Sequence, residues 1–349
     1  MRQYGVLIVD DSRTMRALIA TALSKDPQLQ VLGEAADPLE AREAVKRLNP
    51  DVITLDIEMP KMNGLDFLDR LMRLRPTPVV VVSTLTKKGA DVTVRALELG
   101  AVDCVAKPNI QDPGALENLA KSVRAAAEVR VQGWERTARP ENAEQVHEQY
   151  RPDDRIIAIG SSMGGVEAIS SLLASFPENC PPTVITQHMP PLFTRNFAER
   201  LDRQYKPRIR EAIDGARLTT GCVYIAPGGE AHLEIAGSSA PYCSLKHGDP
   251  VSGHRPSIDV LFSSVARNVG KKAIGVILTG MGRDGAQGLL AMRLAGAETI
   301  GQDEATSMVY GMPRVAFETG AVVQQLPLNA IAKHLLTTTN ALKSRMPCQ

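Results

Sequence analysis

Short, wholly apolar runs alternate along most of the chain with stretches whose apolar residues recur at helical spacing. GVLIV (5–9), QVLGEA (30–35), DVITL (51–55), PVVVV (78–82) and AVDCVA (101–106) read as strands. Segments 13–24, 38–48, 64–74 and 87–99 between them read as helices; in the first, Met15, Leu18, Ile19, Ala22 and Leu23 share one face. Strands that are apolar throughout suit a parallel sheet covered by helices on both sides. The rhythm lapses from about Glu128 to Asp154, a polar stretch holding Pro140, Pro152 and the single tryptophan, Trp134. It resumes at RIIAIG (155–160) and PTVITQ (182–187), which read as parallel strands followed by helices. VYIAP (223–227), HLEIA (232–236) and YCSLK (242–246) are closely spaced and predict a small antiparallel insertion. KAIGVILTG (272–280) then returns to the buried-strand pattern, followed by a helix through AQGLLAMRLAG. The expectation is α/β throughout: one doubly wound domain over 1–127, a linker over 128–154, and a second, mainly parallel domain over 155–349.

Composition narrows the functional classes. Lys plus Arg (40) balances Asp plus Glu (39), so no basic surplus invites nucleic acid or an anionic membrane. The five cysteines, at 104, 180, 222, 243 and 348, form no CxxC pair or regular spacing and read as reduced thiols filling cores. A short apolar run before Asp10 does not make a signal peptide, and no apolar stretch approaches the ~20 residues that span a bilayer. The expected setting is the cytoplasm, without membrane insertion.

Chemistry-bearing residues collect where strands end. Asp10 and Asp11 follow the first strand, Asp56 the third, Ser83 the fourth and Lys107 the fifth, all on the edge where parallel sheets hold their reactive groups. Clustered carboxylates repel one another unless a cation joins them. Mg²⁺ fits, since it takes carboxylates together with phosphate oxygens. Asp56 stands alone on its strand and is the natural nucleophile for an acyl-phosphate, with Ser83 and Lys107 placed to meet phosphoryl oxygens. Taken singly, Asp11 or Ser12 could be a helix N-cap.

The second half offers Ser162 in GSSMGG, His188 in TQHMPP and Asp284 in TGMGRDG, again after strand-like runs. Glycines around Ser162 permit a tight turn with free N–H groups at a helix start, which an oxyanion needs. Ser161 competes as nucleophile, and His232, His247 and His254 compete as base. Asp284 could cap a helix as well as orient a histidine. The turn is neither G-x-G-x-x-G nor a P-loop, which disfavours a nucleotide site.

DD at 10–11, TLDIEMPKMNGLDFL at 54–68, VVVVST at 79–84 and AKP at 106–108 resemble a response-regulator receiver domain, whose fold is flavodoxin-like with strand order 2-1-3-4-5. IGSSMGGVEAI, ITQHMPPLFTRNFAERL, VYIAPGGEAHL, HRPSIDVLF and the long run from ILTGMGRDG to ETGAV resemble the catalytic domain of the protein-glutamate methylesterases of bacterial chemotaxis, the CheB family. The resemblance implies phosphotransfer from a chemotaxis-type sensor histidine kinase to Asp56, with Mg²⁺ held by Asp10, Asp11 and Asp56. It implies a Ser162–His188–Asp284 triad, with no cofactor, acting on methylated chemoreceptors and deamidating receptor glutamines. Backbone N–H groups of Met281 and Gly164 would serve the oxyanion. It further implies a receiver that inhibits the catalytic domain until Asp56 is phosphorylated. Two positions depart from the family pattern: Cys104 stands where receivers carry an aromatic residue, and Met163 where relatives carry a threonine beside the nucleophile. A DNA-binding regulator would need a helix-turn-helix or basic stripe that the second half lacks. A receptor-binding adaptor without catalysis is the other alternative, motivated by Met163.

Overall fold

The computed structural model describes residues 2–59, 64–84, 86–107, 113–129 and 150–342. Most of the expected linker, including Trp134 and Pro140, together with Pro108 and Cys348, lies outside them. The chain divides into two compact units, Met1–Arg136 and Thr137–Gln349.

The first unit alternates β1 (Tyr4–Val9), α1 (Arg13–Leu23), β2 (Leu29–Ala35), α2 (Pro38–Leu48), β3 (Val52–Leu55), α3 (Gly64–Leu74), β4 (Val79–Ser83), α4 (Lys87–Glu98), β5 (Asp103–Ala106) and α5 (Pro113–Glu128). Its strands form one parallel sheet in the order β2-β1-β3-β4-β5. Val6, Leu7, Ile8, Ile53, Leu55 and Val79 through Val82 are fully buried, as strands covered on both faces must be. Helix starts are fixed locally. Ser12 caps α1 by accepting from the Met15 N–H. Asp37 caps α2, where Pro38 supplies a preset φ and Glu40 accepts from the Ala36 N–H.

The second unit contains β6 (Ile156–Ser161), α6 (Gly165–Leu173), β7 (Thr183–Gln187), α7 (Phe193–Gln204), β8 (Arg208–Glu211), β9 (Cys222–Ile225), β10 (Ala231–Ala236), β11 (Tyr242–His247) and α8 (Ile258–Asn268). It continues through β12 (Ala273–Ile277), α9 (Ala286–Leu294), β13 (Glu298–Gln302), α10 (Met312–Glu318), β14 (Gln324–Leu326) and α11 (Leu328–Thr338). Seven strands form a parallel sheet in the order β14-β13-β12-β6-β7-β9-β8. Its centre is a topological switch point: β6 has β7 on one side and β12 on the other, so their carboxyl ends open a crevice.

One expectation is corrected. VYIAP belongs to the main sheet as β9, parallel to β7 and β8; only β10 and β11 form the antiparallel insertion. Every residue of β9 is buried, which suits a strand enclosed within a covered parallel sheet. The β11 strand exposes Tyr242, Lys246 and His247, as a peripheral hairpin does.

Candidate active site and acidic pocket

In the first unit, Asp10 and Asp56 are almost completely buried and Asp11 is exposed. A ligand oxygen from each can be drawn within 4.8 Å of the others. Asp10 Oδ1 accepts from the Ser12 N–H at 2.8 Å, and Asp56 Oδ1 from the Glu58 N–H at 2.9 Å. Their outer oxygens share one cation, with Lys107 Nζ 2.7 Å from Asp56 and 3.1 Å from Asp10. Burial raises the pKa of Asp10 above the usual carboxylate value; the Ser12 N–H and Lys107 oppose the shift without cancelling it. For Lys107, burial works against the charge, yet its bonds to Asp56 and Asp10 leave its pKa raised. Among the described residues, the buried Ser83 Oγ has no hydrogen-bond partner. Two buried carboxylates facing one ammonium, beside an unused hydroxyl, suit a divalent ion and a phosphoryl group. All five sequence-predicted residues therefore lie on one edge of this sheet.

In the second unit, Ser162, His188 and Asp284 follow β6, β7 and β12, three adjacent strands. Ser161 pairs with Gln187, so Ser162 and His188 leave the sheet at one level, while Asp284 lies in the loop that leads from β12 to α9. The Ser162 N–H donates to the Thr279 carbonyl at 3.0 Å, and the His188 N–H to the Ser161 carbonyl at 3.1 Å. Gly280 brings the strands close, since a Cβ there would lie 2.7 Å from Ser162 Cβ. Gly164, at φ 73°, turns the chain from β6 into α6 in a conformation that a side chain would strain. Among the described residues, the N–H groups of Met163, Gly164 and Met281 donate to no protein acceptor.

His188 Nε2 lies 2.8 Å from Asp284 Oδ2. Asp284 is acceptor-only when ionised, so the neutral imidazole carries its proton on Nε2, and Nδ1 presents a lone pair. That Nδ1 is buried and, among the described residues, has no protein partner. Asp284 receives three further donors: Ser257 Oγ–H and the Asp259 N–H on Oδ1 (2.7 and 3.1 Å), and the Ile258 N–H on Oδ2 at 2.7 Å. These come from the start of α8, where a helix favours negative charge. Burial pushes the Asp284 carboxyl up, but His188, the Ile258 amide and Ser257 outweigh it and hold the pKa low.

The rivals named from sequence are otherwise engaged. Ser161 is fully buried and donates to Gln187 Oε1 at 2.6 Å, whereas Ser162 is partly exposed. His232 accepts the Ser257 N–H and bonds the Asp249 carbonyl, and His247 lies exposed on β11. His254 stacks on His188. Met163 carries its side chain into the core, and its carbonyl accepts from Thr279 Oγ1. The support of Asp284 by Ser257 and the start of α8 was not anticipated. The only local signal is the N-cap pattern of Pro-Ser-Ile-Asp at 256–259.

Comparisons with known proteins identify the family. Residues 157–335 match the family model described as CheB methylesterase, and residues 6–121 that of the response regulator receiver domain. The chain is 59% identical over 342 residues to a protein-glutamate methylesterase/protein-glutamine glutaminase of Agrobacterium fabrum, covering 97% of each chain. It is 59% identical over 346 residues to one from Caulobacter vibrioides, covering 98% of this chain and 99% of that protein. The crystal structure of the Thermotoga maritima CheB methylesterase catalytic domain aligns over 53% of this chain and 99% of its own, at 37% identity and a TM-score of 0.52. With a methylesterase match over more than half its length and relatives that span nearly all of it, the chain belongs to the CheB methylesterase family and carries a response-regulator receiver domain at its N-terminal end.

Proposed function

We propose that this protein is a protein-glutamate methylesterase and protein-glutamine glutaminase that acts on chemoreceptors under control of its receiver domain. The observation that carries the chemistry is the His188–Asp284 pair with an unpartnered Nδ1, at the end of the strand adjacent to the one that presents Ser162. Ser162 Oγ attacks the γ-carbonyl of a glutamate methyl ester while His188 Nδ1 takes its proton. Asp284 holds the Nε2–H and stabilises the imidazolium. The oxyanion meets backbone N–H groups of Met281 and of the Met163–Gly164 turn, which are free to donate. His188 returns its proton to the departing methoxide oxygen and methanol leaves. A water then attacks the acyl-enzyme, again deprotonated by Nδ1, and a glutamate carboxylate is released with Ser162 restored. A glutamine side chain follows the same course, with ammonia as leaving group.

The receiver pocket fits Mg²⁺ through Asp10, Asp11 and Asp56; when bound, the ion neutralises the carboxylates and the phosphoryl oxygens. Asp56 accepts the phosphoryl group from a chemotaxis-type histidine kinase. Lys107 neutralises one phosphoryl oxygen, and the Ser83 hydroxyl donates to another. In this account 1–127 is the receiver, 128–154 the linker and 155–349 the catalytic domain, and phosphorylation lifts inhibition of the second by the first. The protein works in the cytoplasm; no helix among the described residues is long and apolar enough to cross a membrane.

The test is methanol release from methylated chemoreceptor membranes by the full chain and by Ser162→Ala. Release by the former and none by the latter is expected. Receptor binding without release would favour the adaptor.

A further inference from the structure

The imidazoles of His188 and His254 lie face to face, with centroids 3.7 Å apart and planes 4° from parallel. Parallel rings cannot hydrogen-bond to each other, so a proton relay between them is excluded by geometry. Among the described residues no protein group hydrogen-bonds to the His254 ring, and its contact with His188 is the specific interaction it offers.

The backbone around His254 is built to hold that contact. Val251 and His254 exchange reciprocal backbone hydrogen bonds of 3.0 Å around a two-residue turn. Ser252 at φ 54° and Gly253 at φ 81° make it the turn type that closes tight hairpins. Arg255 then fastens the segment, donating from Nε to the Gly229 carbonyl and from Nη1 to the Gly248 carbonyl, both at 2.6 Å. Immediately beyond, Ser257, Ile258 and Asp259 donate to Asp284. One continuous segment, 251–259, thus grips the carboxylate of the pair and covers a face of its imidazole.

We propose that His254 is a positioning residue for His188: its flat face fixes the plane of the His188 ring, keeping Nε2 on Asp284 and Nδ1 toward Ser162. The inference rests on the esterase reading of Ser162, His188 and Asp284. A neutral neighbour is needed, because a second cation against the ring would oppose the imidazolium that forms during attack. Burial supplies that neutrality: it brings the His254 pKa down to about 4, with His188 adding to the shift and Asp284 opposing it. These are the two titratable groups that act on the His254 ring. A flat aromatic face, rather than a titrating imidazole, is therefore the property that matters.

The experiment compares the full chain with His254→Ala, His254→Phe and His188→Gln, measuring kcat and KM for methanol release and the melting temperature of each. The Ala variant is expected to lose about tenfold or more in kcat with KM held within about twofold, because ring orientation is lost while substrate binding is kept. The Phe variant restores the face and should return kcat to within about threefold of the parent. A role in folding alone would not divide kcat from KM in this way. If the Ala variant does not fold, His254→Leu, bulky but without a flat face, carries the same expectation. Unchanged kcat in the Ala variant, or a Phe variant as slow as Ala, would overturn the inference. Full activity in His188→Gln would instead overturn the triad reading beneath it.

Discussion

The acidic pocket of the first unit and the His188–Asp284 site of the second occupy equivalent places, beyond the carboxyl ends of parallel strands, yet their buried carboxylates are treated differently. Asp10 and Asp56 share Lys107 and receive one backbone N–H each, and Ser83 Oγ beside them is unpaired. Asp284 receives four donors and has a depressed pKa, while that of Asp10 is raised. The pocket of the first unit is electrostatically incomplete and is suited to gain a cation and a phosphoryl group. The carboxylate of the second is saturated by protein groups, so it can hold a histidine without any further ion. Parallel sheets can thus present either carboxylates left short of donors or a carboxylate fully held by protein groups.

Substitutions should separate the two. The largest effect is expected from Ser162→Ala or His188→Gln, each reducing kcat for methanol release by about 10⁴-fold or more, read in a direct methanol assay. Asp284→Asn should cost about a thousandfold in kcat, because an amide can present its NH₂ to Nε2 and favour the wrong tautomer. Asp56→Asn should abolish the response to a small phosphodonor while leaving unstimulated release intact. Ser257→Ala removes one of four donors to Asp284; a loss of about tenfold in kcat is expected, with the acid limb of the pH profile displaced.

The smallest and most diagnostic change is in stability. The Asp10 pKa is raised on folding, so its ionised form opposes folding at neutral pH, and this penalty disappears as pH falls through the folded pKa. Asp10→Asn should therefore raise the melting temperature of the Mg²⁺-free protein near pH 7 and abolish any stabilisation by added Mg²⁺. Asp284 has the opposite sign. Its lowered pKa contributes stability above the unfolded-state value, lost as pH falls through the folded one, so Asp284→Asn should lower the melting temperature at neutral pH. A thermal-shift series over pH would test both, and a fall for Asp10→Asn would break the contrast.

The sequence made much of this legible because buried parallel strands announce themselves as apolar runs and reactive residues sit where the runs stop. Asp10, Asp56, Ser83, Lys107, Ser162 and His188 stand at such ends, and Asp284 lies in the loop between β12 and α9. The edge strand β8 was missed, since Arg208 and Arg210 in RIRE leave it without an apolar run, and β9 was misassigned to the hairpin that follows it. Spacing along the chain reports neighbours in sequence, whereas the partners of β9 are β7 and β8. The support of Asp284 by Ser257 and Ile258 was invisible for the same reason: these groups meet across 27 and 26 residues of chain. The Ser161–Ser162 ambiguity also needed side-chain geometry, since only the bond to Gln187 shows which hydroxyl is committed.

The central claim is that an incomplete acidic pocket governs a complete esterase site in one chain. The most direct test is methanol release from methylated chemoreceptor membranes in Mg²⁺, measured before and after a small phosphodonor, for the parent, Ser162→Ala and Asp56→Asn. The account predicts release that rises with phosphodonor in the parent, stays at its basal level in Asp56→Asn and vanishes in Ser162→Ala. Release that ignores the phosphodonor in the parent, or persists without Ser162, would contradict it.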